Sequence, residues 1–301
     1  MNMKYLIPLL IVTGLLASCK SDTTKAVDTP ISAAKQKLTD DPTIANANQY
    51  IAEIRKAIIA NGTDQKDLIL EGLSTAEQYK LGPQAVSFLM PLIKDYPQDA
   101  ETGERMAKLA SALSDLNRPE AASIVAKGYL ATNPAGKYKA SLINKLGSLE
   151  GSTTDQLQEM AKAVFVDPDK YGINRKNAQR YVDACEAFAL AYPNDAEAPT
   201  YLYRGAEMAR TLRTFTKALS IYDWIEEKYP DYEKTPTTVF LKGFMLENDL
   251  NNKEKAKEVY EGFLTKYPDH ELIDDIKFLI ENIDKSDKEI MEMIESKQKP
   301  S

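Results

Sequence analysis

The chain contains 301 residues and carries 38 lysines and arginines against 45 aspartates and glutamates, a formal net charge of −7. An acidic chain without a basic cluster argues against nucleic acids and anionic lipid surfaces as partners. The single histidine, His270, excludes His-rich zinc sites and disfavours a Ser–His or Cys–His mechanism. We therefore expect no cofactor and no enzyme activity, and we interpret His270 as a solvated turn residue.

The first 19 residues have the pattern of an export signal. Lys4 precedes an apolar segment, residues 5–15, that is too short to span a bilayer as a finished helix. A Leu-Ala-Ser sequence then leads to Cys19. This ending resembles a bacterial lipobox, and the resemblance implies a signal peptide over residues 1–18 and acylation of Cys19. An ordinary secretion signal with an incidental cysteine is the alternative.

The residues after Cys19 indicate where the anchored chain is located and where folding starts. Lys20 stands where an aspartate is typical of lipoproteins kept in the inner membrane of Gram-negative cells, so we expect the outer membrane, on either side of it. Residues 19–41 are mostly Ser, Thr, Asp, Lys and Ala, which predicts a flexible tether. Folding is expected to start near Pro42, a favourable first-turn residue.

The pattern of residues 42–168 predicts N-terminal helical repeats. Apolar residues at helical spacing, broken by Gly and Pro, predict helices over residues 42–61, 64–79, 83–95, 100–114, 119–132, 139–149 and 155–166. Pro91 is expected to kink or split the third of these. A loop at 167–174 and one helix at 175–191 follow. Because the proline interval shortens there, we predict a subdomain boundary in that loop.

Residues 175–301 contain the clearest repeat. Tyr-Pro pairs recur 37 and 38 residues apart, with prolines at 193, 230 and 268. Gly205 and Gly243 follow their prolines by 12 and 13 residues, and an alanine and a tyrosine follow each glycine at fixed distances. A fixed period of this size indicates stacked helix pairs, in which small residues allow close helix crossings. The order resembles the tetratricopeptide repeat, with longer loops.

The resemblance implies an all-α fold, a right-handed α-solenoid of helix–turn–helix repeats. Residues 196–211 and 216–229 are predicted to form one pair, with Ile221 and Trp224 lying off the main apolar stripe of the second helix. A terminal repeat exposes an unstacked apolar face unless it is covered. A C-terminal capping helix around Ile290, Met293 and Ile294 is therefore expected. In total we expect about twelve helices and no sheet.

We interpret the remaining side chains that could be reactive as structural, with no catalytic role. Cys185 lies on an apolar helical stripe, and it has no partner for an internal disulfide once Cys19 is acylated. The acidic pairs Asp274-Asp275 and Glu226-Glu227 are candidates for hydrolase carboxylates, but both lie among polar helical neighbours and read as solvated helix faces. No catalytic site is predicted.

Binding is the better interpretation of a helical solenoid. First helices of such pairs are expected to line a concave surface suited to peptides or partner helices. The candidate protein-binding groove is a helical stripe separate from the core, together with the aligned positions one repeat later. Its residues are Tyr203, Glu207, Arg210, Leu241, Met245 and Asn248. Packing of these side chains against the neighbouring repeat is the alternative.

Repeat and lipobox together resemble helical-repeat envelope lipoproteins of Gram-negative bacteria. The resemblance implies a lipid-anchored, non-catalytic scaffold that binds other envelope proteins, with a role in assembly or maintenance of the outer membrane. A surface glycan-binding lipoprotein is the second hypothesis, since the 16 tyrosines of the chain permit an aromatic platform. An envelope hydrolase is the third.

Overall fold

The computed structural model describes residues 29–61, 65–165, 172–286, 288–289 and 291–292. These residues form fourteen α-helices and no β-strand. None of these helices is both long and apolar enough to cross a membrane. In chain order they are α1 Pro30–Asp40, α2 Ile44–Asn61, α3 Lys66–Gln78, α4 Gly82–Asp95, α5 Thr102–Asp115, α6 Pro119–Thr132, α7 Lys139–Leu146, α8 Thr153–Val164, α9 Arg175–Ala191, α10 Ala198–Thr211, α11 Phe215–Lys228, α12 Thr235–Asn248, α13 Lys253–Lys266 and α14 Ile273–Asn282.

Most of the helices pack as helix–turn–helix pairs. The pairs are α3 with α4, α5 with α6, α10 with α11 and α12 with α13, and α4 packs on α5 as α11 packs on α12. In the α10–α11 pair most of the predicted apolar stripe is buried, including Tyr201, Gly205 and Tyr222. A Cβ added to Gly205 would lie 3.0 Å from Cβ of Cys185 in α9, which confirms that this glycine lies at a close crossing, here between α9 and α10. The fold is an all-α solenoid of helical repeats, and its right-handedness stays a prediction.

The Tyr-Pro pairs form one recurring turn. Tyr96, Tyr192, Tyr229 and Tyr267 each cap a helix, with φ between −125° and −133° and ψ between 52° and 59°. Each tyrosine N–H donates to the carbonyl four residues back, and the proline that follows has no N–H to continue the helix. The four Tyr-Pro turns therefore share one backbone geometry.

The turns inside the pairs also share one geometry. Lys80, Asn117, Arg213 and Asn251 adopt positive φ values between 50° and 61°. At Arg213 this turn lets the next amide, Thr214 N, donate to the Ala209 carbonyl at 2.9 Å. Left-handed residues at helix C-termini are usually glycine and sometimes asparagine, so Lys80 and Arg213 carry the backbone strain here.

The middle of the chain departs from the repeat. Helix α7 packs on α5 and α6, and α8 packs on α9. Helix α9 also packs on α6 and α10. At this contact a Cβ added to Gly128 would lie only 2.5 Å from Cβ of Ala191. One buried cluster runs from Ala34 to Met245, and a smaller cluster in α12–α14 runs from Val239 to Ile283. The core therefore continues across the predicted boundary at 167–174, most of which lies outside the described residues.

The start of the folded region also differs from the prediction. Residues 30–40, assigned to the tether, form α1, which packs on α2 and buries Ala34. The Thr29 hydroxyl caps it by accepting the Ser32 N–H at 3.2 Å. Ile31 and Leu38 pack beside Ala34, so three apolar residues at helical spacing suffice although the segment as a whole is polar.

The remaining differences concern helix interruptions and the C-terminus. Pro91 lies inside α4, which continues from Gly82 to Asp95 and is not split. Helix α14 begins the last repeat as predicted. The capping helix expected around Ile290, Met293 and Ile294 lies outside the described residues, so it stays a prediction.

Candidate functional site

In α10 the predicted groove residues are engaged inside the repeat. Glu207 accepts a hydrogen bond from the hydroxyl of Tyr222 in α11, and its carboxylate also lies 3.6 Å from Nη1 of Arg210. Tyr203 is half-buried, and the Lys234 ammonium lies 5.0 Å from its ring centroid. These contacts tie α10 to α11 and to the turn before α12.

In α12 the aligned residues divide between core and surface. Met245 is fully buried and Leu241 is half-buried, whereas Asn248 is exposed and donates to the Phe244 carbonyl at 3.0 Å. The structure brings three of the six predicted residues, Glu207, Arg210 and Asn248, to a shallow cleft of about 400 Å³. Met245 does not reach it. Use of this cleft by a partner stays a prediction.

A tyrosine–glutamate hydrogen bond recurs between neighbouring helices. Besides Tyr222 and Glu207, the Tyr260 hydroxyl donates to Glu247 at 2.9 Å, and Tyr50 donates to Glu71. Burial raises the pKa of each of these tyrosines, and the hydrogen bond to a carboxylate raises it further. The hydroxyls therefore stay protonated and act as fixed donors. Glu207 is thus one member of a repeated structural bond.

The candidate catalytic side chains are placed structurally. No group of three His, Cys, Asp or Glu in the described residues has the arrangement of a metal site. Cys185 is fully buried, and burial raises the pKa of its thiol, which disfavours the reactive thiolate. His270 is half-buried rather than solvated: its Nδ1 accepts the Leu272 N–H at 3.2 Å, and its ring packs edge-on against Phe263.

The two acidic pairs have different environments. Asp274 and Asp275 are exposed in the first turn of α14, as predicted. Glu226 is partly buried and binds Lys242 at 3.2 Å and Lys266 at 3.1 Å, so it links α11 to α12 and α13. Neither pair forms a carboxylate couple across a cleft. Cys19, the predicted lipidation site, lies outside the described residues, and its acylation stays a prediction.

Two neighbouring clefts lie beside α4 and α11, the second helices of their pairs. Helices α4 and α11 face each other although they are far apart in sequence. Lys94 lies 3.3 Å from Glu227 and Lys228 lies 3.0 Å from Asp95, and the Lys94 ammonium also lies 5.9 Å from the Trp224 ring centroid. These contacts bring the two halves of the solenoid together around two neighbouring clefts.

The first of them, the isoleucine cleft, is lined by α2, α3, α4 and Glu227 of α11 and has a volume of about 480 Å³. Ile58, Ile59, Ile69 and Phe88 supply its apolar walls. Ile59 is 84% exposed, the highest value of any large apolar side chain in the described residues. Arg55 is fixed at the rim, because its Nη2 donates to Ser87 Oγ at 2.6 Å and its guanidinium lies over the Phe88 ring.

The second, the basic cleft, lies between α4, α9 and α11 and encloses about 400 Å³. Its apolar walls include Met90, Leu190 and Trp224. The charged groups that line it are three cations and one carboxylate, namely Lys94, Arg118, Lys217 and Glu186. This local excess of positive charge contrasts with the net charge of −7 of the chain.

Buried carboxylates hold the cations of the basic cleft. Lys217 Nζ donates to both carboxylate oxygens of Glu186, at 3.0 and 3.1 Å, and Arg118 Nε lies 3.5 Å from Asp183. Burial raises the pKa of the carboxyl groups of Asp183 and Glu186, and the positive charges of Arg118 and Lys217 oppose that shift. The two ion pairs therefore interact electrostatically beside the cleft.

Comparisons with known proteins assign no family to the chain. No family model matches the chain, and no curated protein matches it. Among solved structures, the chain is similar to the TPR2AB domain–pHSP90 complex of yeast Sti1, with 14% sequence identity and a TM-score of 0.32 over 84% of this chain and 96% of that chain. At this TM-score the assignment of the fold rests on the helix pairs themselves.

Proposed function

We propose that the protein is a lipid-anchored scaffold of the cell envelope that binds another envelope protein and has no catalytic role. The anchor is Cys19, acylated after cleavage of the export signal, and the outer membrane is the proposed location. The Leu-Ala-Ser-Cys ending of the signal supports the anchor, and the acidic helical solenoid supports a binding role.

The observation that carries the binding proposal is the isoleucine cleft. Ile59 is almost fully exposed at the rim of an apolar cleft that also contains Ile58, Ile69 and Phe88. An apolar cleft with an exposed aliphatic rim is typical of a surface that receives a bulky side chain from a partner. The proposed occupant is an amphipathic segment of the partner that inserts one such side chain against Ile59.

The tyrosines give no support to the glycan-binding alternative. Every tyrosine in the described part of the chain is at least partly buried, and several donate to glutamates between helices. A stacking platform for sugar rings needs exposed aromatic faces. The protein-binding proposal therefore has the stronger structural support.

Matched variants of α2 test the docking surface. Ile59→Asp removes the exposed contact, and Ile44→Asp makes the same change at the other end of α2, where Ile44 is 59% exposed. Tagged full-length protein is crosslinked mildly in the membranes of its native cells, purified in detergent and analysed by mass spectrometry. We expect one envelope protein in stoichiometric amount with wild type and Ile44→Asp, and its loss with Ile59→Asp.

Three other outcomes contradict parts of the proposal. Equal recovery with Ile59→Asp rejects the isoleucine cleft as the docking site. Recovery of no stoichiometric protein with any variant rejects the scaffold. The anchor has its own test, since a Cys19→Ala form is expected to leave the membrane fraction while its far-UV circular dichroism stays helical. If that form remains in the membrane fraction, Cys19 is not the anchor.

A further inference from the structure

The basic cleft has the size and lining of a site for a small ligand. Its volume of about 400 Å³ falls in the range of roughly 300–1,000 Å³ typical of ligand sites, which combine apolar walls with a few placed polar groups. Met90, Leu190 and Trp224 supply an apolar wall from three helices. The polar groups are concentrated at Arg118, Glu186 and Lys217.

The two ion pairs beside the cleft present their cations to a ligand. Arg118 is 44% exposed while its partner Asp183 is 9% exposed, and Lys217 is 38% exposed while Glu186 is 6% exposed. In each pair the carboxylate is therefore the inner member and the cation the outer one. A ligand that enters the cleft meets positive charge first.

The cations retain donors for such a ligand. Arg118 makes its ion pair through Nε, and among the described residues neither of its Nη atoms donates a hydrogen bond. Lys217 has three N–H donors, of which the two carboxylate oxygens of Glu186 engage two. The third cation, Lys94, is held at the other end of the cleft by Asp95 and Glu227.

We propose that the basic cleft binds a small amphipathic anion, a long-chain carboxylate whose aliphatic body packs on Trp224, Leu190 and Met90 and whose carboxylate pairs with Arg118 and Lys217. A cationic amphiphile is disfavoured because the carboxylates that would receive it are buried and already paired. This site is adjacent to the isoleucine cleft, with which it shares Ser87 and Pro91, but it is independent of the proposed partner.

Trp224 provides a direct readout, because it is the only tryptophan of the chain and lines the cleft. The full chain carrying Cys19→Ala is titrated with decanoate, below its micelle concentration, and the emission of Trp224 is followed. Decyltrimethylammonium has an aliphatic chain of nearly the same length with the opposite charge and serves as the ligand control. We expect a saturable change with decanoate and at least about tenfold weaker binding of the ammonium compound.

Three variants complete the test. Arg118→Gln is expected to weaken decanoate binding at least about tenfold through the loss of a charged hydrogen-bond donor. Lys176→Gln, an exposed α9 residue outside the cleft lining, removes the same charge and should leave the affinity unchanged. Ser220→Phe fills the cleft from an exposed α11 position without changing its charge, and should abolish the response.

Several results overturn the proposal. They are the absence of saturable decanoate binding, equal affinity for both amphiphiles, or the same affinity in wild type and Arg118→Gln. If Arg118→Gln does not fold, Ser220→Phe decides the matter, since unchanged binding in that variant places the ligand outside the cleft.

Discussion

A tight contact between α12 and α13 predicts different effects for two glycine substitutions in this helix pair. A Cβ added to Gly243 would lie 2.5 Å from Cε1 and 2.8 Å from Cδ1 of the Tyr260 ring. Tyr260 is fully buried and its hydroxyl is fixed by Glu247 at 2.9 Å, so the ring cannot swing aside. At Gly262, in α13, an added Cβ would meet nothing within 4 Å.

The magnitudes follow from two opposing effects. Replacing a glycine in a helix interior by alanine stabilises the helix by about 0.8–1.0 kcal/mol. Overpacking of a filled core costs about 1–3 kcal/mol. We therefore expect Gly262→Ala to raise the free energy of unfolding by about 1 kcal/mol. Gly243→Ala should fall about 1–3 kcal/mol below Gly262→Ala, because only this substitution adds a methyl group to an occupied space.

Urea denaturation followed by far-UV circular dichroism measures both effects. The two glycines belong to one helix pair, so independent unfolding of the terminal repeats affects both variants alike. Comparable slopes of free energy against urea concentration show that the midpoints report stability. If Gly243→Ala proves as stable as Gly262→Ala, the crossing is looser than described and the argument from the Tyr260 contact is wrong.

Two further predictions concern backbone strain and pH. Lys80→Gly relieves the backbone strain of a left-handed residue (φ 54°) and should stabilise the chain by about 0.5–1 kcal/mol. Ser74→Gly, on the exposed side of α3, should destabilise it. Thermal denaturation of both variants checks the sign of each effect. Because burial raises the pKa of the Glu186 carboxyl, its contribution to stability is fully present below its unfolded-state pKa, about 4.3, and is lost as pH rises through the folded-state value. The glutamine in Glu186→Gln does not titrate, so the stability of this variant relative to wild type should increase from about pH 4.3 upward. Lys217, Arg118 and Asp183 are unchanged in the variant. A difference in unfolding free energy that stays constant across pH would contradict the burial argument.

Several helix bounds were predictable from sequence because local chemistry determines them. The predicted ranges 119–132 and 175–191 coincide with α6 and α9. Pro119 begins α6. Asn133 and Tyr192, the C-cap residues of α6 and α9, each precede a proline, which lacks the N–H needed to continue the helix. The recurring Tyr-Pro turn likewise follows from adjacent residues alone.

The middle of the fold was not predictable by the same means. Helices α7 and α8 leave the repeat, and α9 packs directly on α6. That contact depends on Gly128 and Ala191, two small residues 63 positions apart whose meeting no local pattern indicates. In the same way the polar composition of residues 30–40 predicts a tether, because the apolar residues of α1 become significant only when α2 lies beside them.

The candidate site shows this limit most clearly. The repeat pattern predicts binding on first helices, but Glu207 there accepts a hydrogen bond from Tyr222 within the pair, and Met245 lies in the core. The one available signal for the other face was Trp224, which lies off the apolar stripe of α11 and lines the basic cleft.

The contact beside the clefts depends on a series of helix interfaces. Lys94 and Glu227 are separated by 133 residues, and they meet because α4, α5, α6, α9, α10 and α11 each pack on the next and bring α4 to α11. A small rotation per repeat accumulates along a solenoid, so the face that becomes concave depends on every intervening interface. Periodicity predicts which residues of one helix are buried, but it does not predict which charges of distant helices share a cleft. The basic cleft could therefore be found only after α4, α9 and α11 were placed together.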